Sequence, residues 1–164
     1  MPSDTEKTLQ VCNCLALRQA ARHVTQFYDQ CLAPTGLRTT QFSILAKLKR
    51  LGSMTINALA RELIMDRTTL GRTMLPLERD GLIAVKEGTV DRRSKELAVT
   101  KTGTERLQRA AKLWIEAQKA FEESFGATRA ADLRGLLREV VSCGLEKPAA
   151  AATVQRQRAR ARPQ

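Results

Sequence analysis

The sequence predicts a mainly α-helical domain carrying one small β-hairpin, and three observations support that expectation. Leu and Ala dominate an apolar fraction of 43%, while aromatic residues make up only 4%, a balance that favours helices over strands. Apolar positions recur at helical spacing from Leu9 to about residue 143. The exception closes the block Thr55–Thr100, which reads as helix, turn, helix and then a hairpin with a basic tip. A length of 164 residues suits one domain. That domain is expected at 9–143, after a disordered N-terminus at 1–8 and before a basic disordered tail at 144–164.

From Leu9 to Leu32, one apolar stripe comprises Leu17, Ala21, Val24, Tyr28 and Leu32, and a second comprises Leu9, Cys12, Ala16, Ala20, His23 and Phe27. Two stripes describe a helix buried over a wide arc, more than the first helix of a small domain needs. A partner subunit is one explanation. Pro34 and Gly36 break this helix. Thr39 or Thr40 caps a second helix at about 40–51, with Phe42, Ile44, Leu45, Leu48 and Leu51 inward. Its outer face carries Arg38, Lys47, Lys49 and Arg50 with no acid between them. Thr55 caps a short third helix ending near Ile64, with Met54 and Leu59 placed as a hydrophobic staple. Asp66 caps a fourth helix, Arg67 to about Asp80, in which Leu70, Met74 (or Thr73) and Leu77 face inward and Gly81 closes the C-terminus. Strands over Leu82–Val85 and Glu96–Val99 flank a loop holding Arg92, Arg93 and Lys95. Thr102 and Glu105 form a capping box for a fifth helix, about Thr102–Ser124, whose apolar side includes Leu107, Ala110, Trp114 and Ala117. Gly126 breaks it, and Thr128 caps a last helix at about 129–143, with Leu133, Leu136, Leu137, Val140 and Val141.

A net charge of +11 suggests a polyanionic partner, most often nucleic acid. The tail from Lys147 carries five of those charges and leaves six on the body. Residues 61–101 hold nine cations against seven acids. The block is therefore no bulk positive patch, and its function rests on where the cations point. A short helix, a turn and a second helix suit helix-turn-helix geometry, whose second helix lies in a major groove. That helix offers Arg67, Thr68, Thr69, Arg72 and Thr73 to DNA; Arg38 and Thr55 join the same DNA-contacting set. Arginine grips guanine O6 and N7 in bidentate fashion, and threonine bonds base edges or phosphate. Gly71 costs the helix about 1 kcal/mol against alanine. Close approach of the backbone to DNA is one reason for it, a tolerated glycine another. Pro76 removes the bond to the Arg72 carbonyl and is expected to bend the helix. In the hairpin, Arg92 and Arg93 supply a minor-groove contact while Asp91 stiffens the tip.

The order of elements, with DRTTLGRTMLPLERDGLI (66–83) followed by DRRSKELAVTKTG (91–103), resembles the MarR family of transcription regulators. The segment GLRTTQFSILAKL (36–48) is similar to that family's second-helix region, and Asp91, Arg93, Leu97, Val99, Thr100 and Gly103 match its wing motif. The resemblance implies a homodimeric winged helix-turn-helix regulator, here a repressor. Its DNA-binding lobe would span 37–101, with dimerisation helices at 9–33 and 102–143. Such dimers bind pseudo-palindromic promoter duplexes and release them when a small aromatic ligand binds or a cysteine is oxidised. By the same resemblance, Tyr28, His23 and Trp114 line a ligand cleft. Cys14 occupies the reactive-cysteine position of the peroxide-sensing branch, with Cys12 nearby. Tyr28 stands at one tyrosine position of that branch, and Arg18 replaces the other.

Other classes fit less well. No run of about 18 apolar residues exists to span a membrane. The segment MPSDTEKT lacks the apolar region of a secretory signal, so a cytoplasmic location is expected. There Cys12, Cys14, Cys31 and Cys143 are not expected to form structural disulfides. Cys12 and Cys14 point about 200° apart around a helix, which excludes a local bridge while the helix holds. No Ser-His-Asp set, phosphate-cradling loop or paired carboxylates invite an enzymatic reading, and neither metal nor cofactor is expected. Two alternatives stay open: a thiol-based, peroxide-responsive protein reacting through Cys14, and a non-specific nucleic-acid binder driven by the basic tail.

Overall fold

The computed structural model describes residues 11–88 and 95–145. These described residues divide into two compact units, with the boundary between residues 120 and 121.

In the first unit, helix α1 (Asn13–Leu32) leads through a 3-10 turn (Ala33–Thr35) to α2 (Thr39–Leu51). Strand β1 (Met54–Thr55) precedes α3 (Ile56–Glu62) and α4 (Arg67–Arg79). Strands β2 (Ile83–Glu87) and β3 (Lys95–Val99) follow, and α5 (Lys101–Phe125) begins directly after β3. The sheet is antiparallel in the order β1-β3-β2, with Met54 opposite Leu97 and Ile83 opposite Val99. Leu32, Ile44, Leu45, Leu59, Leu70 and Leu77 are almost wholly buried and centre the core on the helix-turn-helix.

Several local expectations need correction. The helix that ends at Leu32 starts at Asn13, with Cys12 as its N-cap accepting a bond from the Leu15 amide at 3.4 Å; the expected start at Leu9 lies outside the described residues. It buries only Tyr28 and Leu32, both of the first stripe, whose Leu17 stands exposed; of the second stripe, Ala16, Ala20 and His23 are exposed and Cys12 and Phe27 half-buried. Leu51 is 46% exposed rather than inward, because it ends α2 beside Gly52. Two of the four outer cations at α2 find acids from elsewhere in the chain: Arg38 pairs with Asp29 at 3.2 Å and Lys47 with Glu62 at 3.0 Å. Both acids come from neighbouring helices, which local spacing does not reveal. The sheet has three strands instead of two, and β2 reaches Glu87, taking Lys86 out of the expected loop. Helix α4, by contrast, runs through Pro76 to Arg79, within a residue of its expected end.

The helix after the hairpin starts at Lys101, so a Thr102–Glu105 box does not cap it. Thr100 does. Its hydroxyl accepts from the Gly103 amide at 2.9 Å and donates to the Gly81 carbonyl at 2.7 Å, while its amide donates to the Leu82 carbonyl at 3.1 Å. One residue thus ends the sheet, starts the helix and ties both to the turn after α4. Arg106, farther along α5, donates to the Thr35 carbonyl at 2.9 Å and so holds the 3-10 turn.

The turn between α3 and α4 is closed by two bonds. The Met65 amide donates to the Ala60 carbonyl at 2.9 Å and the Ile64 amide to the Arg61 carbonyl at 3.2 Å, a Schellman closure. Ile64 sits at the left-handed position with φ 51°, where glycine is usual and a β-branched residue is strained. Its side chain is 70% exposed, so little packing offsets the strain. Ile64→Gly is expected to raise stability by about 1 kcal/mol, seen as an upward shift of the urea midpoint.

In the second unit, α5 ends at Phe125 and α6 spans Ala127–Ser142. Gly126, at φ 95°, is the N-cap, so Thr128 lies inside the helix instead of capping it. Arg134 bonds Glu122 at 3.0 Å, and the Arg129 guanidinium lies 4.4 Å from the centre of the Phe125 ring. Leu136, Val140 and Val141 are exposed.

Candidate nucleic-acid interface

Helix α4 divides into two faces by simple periodicity. Leu70, Met74 and Leu77 are buried. On the opposite side Thr68, Arg72, Leu75 and Arg79 fall within an arc of about 60° and are all exposed. Thr69 is exposed at one flank of that arc, and Arg67, although nearer the buried series by angle, is exposed because it opens the helix. Thr73 lies nearer the packed side, half-buried, with its hydroxyl donating to the Thr69 carbonyl at 2.9 Å. The outward face thus includes two residues that sequence reasoning missed, Leu75 and Arg79. Their distance from the buried series was the available signal. Arg79 also donates to Asp80 at 3.0 Å.

The start of α4 is fixed by Asp66, which accepts from the Thr69 amide at 2.8 Å. The Thr69 hydroxyl and amide, with the Thr68 amide, hold this exposed carboxyl below its ordinary value of 3.8. Thr55 plays the same part for α3, its hydroxyl accepting from the Ala58 amide at 3.2 Å. That hydroxyl is committed to the fold, whatever else Thr55 touches.

Arg38 lies at the N-cap of α2 and is 80% exposed. Its partner Asp29 reaches over from α1 and also accepts from the Thr39 amide at 2.7 Å and the Thr39 hydroxyl at 2.8 Å. A carboxylate on one helix therefore caps the next. The Arg38 amide donates to Gln41 at 2.9 Å, completing the cap that Thr39 or Thr40 was expected to supply. Partial burial pushes the Asp29 carboxyl up, but the bonds from Thr39 and Arg38 outweigh it and leave it below 3.8. A group depressed in this way stabilises the fold above its unfolded pKa and loses that contribution as pH falls through the folded value. Asp29→Asn is accordingly expected to cost about 1 kcal/mol near neutrality, as caps do, with the difference from wild type shrinking below about pH 4 in acid unfolding curves. A cleft beside this clasp is lined by Asp29, Arg38, Thr40, Gln41, Thr73 and Pro76, so it joins Arg38 to one flank of α4.

The residues expected between β2 and β3, Asp91, Arg92 and Arg93, lie outside the described residues. Of the expected ligand-cleft residues, two come together and one does not. Tyr28 is buried, donates to Gln118 at 2.7 Å and lies 6.4 Å from Trp114, centre to centre. Trp114 stacks on Phe42 at 5.9 Å. His23 is exposed, away from that aromatic cluster. Cys14 is exposed and Cys12 half-buried, and all four cysteines are free thiols.

A sequence profile of the MarR family matches residues 37–95, from two residues before α2 to the first residue of β3. A Bacillus subtilis HTH-type transcriptional regulator, YwoH, is 30% identical over 107 residues, covering 65% of this chain and 67% of its own length. The chain belongs to the MarR family.

Its MarR fold is also that of solved structures. The M. tuberculosis regulator MosR in complex with DNA is 37% identical at a TM-score of 0.68, the match covering 82% of this chain and 99% of MosR. The repressor CouR, bound to a 23-mer DNA duplex, superposes with a TM-score of 0.74 at 27% identity, covering 82% of this chain and 95% of CouR. CouR has also been solved with p-coumaroyl-CoA. The MarR profile covers α4 and its supporting helices but not α1 or α5, which contribute Tyr28 and Trp114. Among the described residues of this MarR chain, no helix is long and apolar enough to cross a membrane.

Proposed function

We propose that this MarR-family chain is a homodimeric transcriptional repressor that reads a pseudo-palindromic duplex with α4 in the major groove. The observation that carries the reading is the polar outward face of α4. Thr68 and Arg72 point away from a side that Leu70, Met74 and Leu77 bury completely, and Asp66 fixes where that face begins. Thr69 flanks it, Arg67 opens the helix, Arg38 and Thr73 border it, and Arg92 and Arg93 belong to the segment after β2, where a wing would meet the minor groove. DNA-bound MosR and CouR, each matched over most of its length, support the same docking.

Self-association is supported by α1, whose Leu15 and Leu17 are exposed among the described residues, and by exposed Leu136, Val140 and Val141 on α6. Residues 9–33 and 102–143 would form the dimer and 37–101 the reading lobe, with the basic sequence of 144–164 following. A small aromatic ligand is the favoured switch, because Tyr28, Phe42 and Trp114 gather aromatic surface where α1, α2 and α5 meet. Oxidation of the exposed Cys14 is the second reading.

Selection from a randomised duplex library tests the first part. The expected product is an inverted repeat with half-sites centred about one helical turn apart. Recovery of no common sequence, or loss of all binding on deleting 147–164, points instead to a non-specific binder. Repeating the binding measurement with peroxide, with thiol reductant and with a panel of small aromatic acids separates the two switches. Release by peroxide in wild type but not in Cys14→Ser identifies the thiol, and release by an acid regardless of Cys14 identifies the ligand.

A further inference from the structure

Two features of α4 have no role in packing. A Cβ built at Gly71 meets nothing within 4 Å, so neither crowding nor a left-handed backbone calls for glycine there. Yet glycine in a helix interior weakens the helix. Leu75, one turn farther on, is 62% exposed on an outward face otherwise made of Thr68, Arg72 and Arg79. A lone exposed leucine is ordinary. This one lies about 40° around the helix from Gly71 and about 60° from Arg72. Together Gly71 and Leu75 make a recess that is backbone-deep on one side and apolar on the other, next to a guanidinium.

Resting on the reading of α4 as the major-groove helix, we propose that this recess reads the 5-methyl group of a thymine beside a guanine held by Arg72. The major groove is where that methyl is displayed, and apolar side chains recognise it there. The spacing agrees. Arg72 and Leu75 are about 4.5 Å apart along the helix axis, close to one base-pair step of about 3.4 Å. Glycine lets the base edge approach the helix, and Leu75 covers the methyl as it arrives.

The test uses full-length protein and the duplex that wild type selects from a random library. Each thymine is replaced singly by deoxyuridine, which removes only the methyl. Wild type is expected to lose about fourfold in affinity per half-site at one thymine within two base pairs of the guanine, the worth of burying one methyl-sized group. Leu75→Ala and Gly71→Ala should be indifferent to that same replacement. Gly71→Ala should also melt at a higher temperature than wild type while binding the thymine duplex less tightly, a combination that a purely structural glycine does not give. Indifference of wild type to every uridine, or equal losses in wild type and both variants, overturns the methyl recess while leaving DNA reading intact. Failure of wild type to select any sequence removes the underlying reading, and the recess with it.

Discussion

Gly103→Ala is expected to lower stability by about 3 kcal/mol, the upper range for forcing atoms into a packed site, and the melting temperature by about 10 °C at fixed protein concentration. The cause is local. A Cβ at Gly103 would press into the Leu82 carbonyl and sit 2.9 Å from Val99 Cγ1. Neither neighbour has freedom to move, since the Leu82 carbonyl accepts the Thr100 amide at 3.1 Å and Val99 is paired with Ile83 across the sheet. Glycine at this position is therefore a requirement of the junction between β3, the turn after α4 and α5. A Gly103→Ala protein that melts with wild type would mean that this junction is looser than the bonds of Thr100 describe. Because the same junction holds the end of α4, the variant should also bind DNA less tightly at temperatures where it is still folded.

Arg72→Ala is the functional counterpart. The variant should remain folded, because Arg72 is exposed on the face opposite Leu70, Met74 and Leu77. One bidentate contact to guanine is worth about 1–3 kcal/mol of discrimination. The expected result is a loss of about tenfold to a hundredfold in preference for the cognate over a single-base-changed half-site, with binding to unrelated duplex barely altered. Arg93→Ala should behave differently, weakening binding across sequences if it meets phosphate or minor groove. Equal loss on all duplexes for Arg72→Ala would move Arg72 from base reading to backbone contact.

Much of the lobe was legible because its determinants are local. The spacing of Leu70, Met74 and Leu77 marks the buried side of α4, and Asp66 and Thr55 cap the helices that follow them. What escaped depends on residues brought together by folding. The cap of α2 comes partly from Asp29, ten positions upstream on another helix. Thr100 and Thr102 are equally good caps by sequence. Thr100 is selected by its bonds to Gly81 and Leu82, about twenty residues earlier. Strand β1 has only two residues, too few for alternation to show, and exists because β3 offers it an edge. Leu75 was overlooked because an apolar residue invites a core assignment, although its angle on the helix denies it one. The aromatic cluster was half legible: Tyr28 and Trp114 do approach each other, whereas His23 lies on the exposed arc of α1.

The most direct measurement is a salt-controlled titration of the wild-type protein against the DNA flanking its own gene, with a scrambled duplex of equal length as competitor. Specific binding should be tighter by about a thousandfold or more at physiological salt, and both affinities should fall steeply as salt rises. Equal affinity for the flanking and scrambled duplexes would contradict a sequence-reading α4.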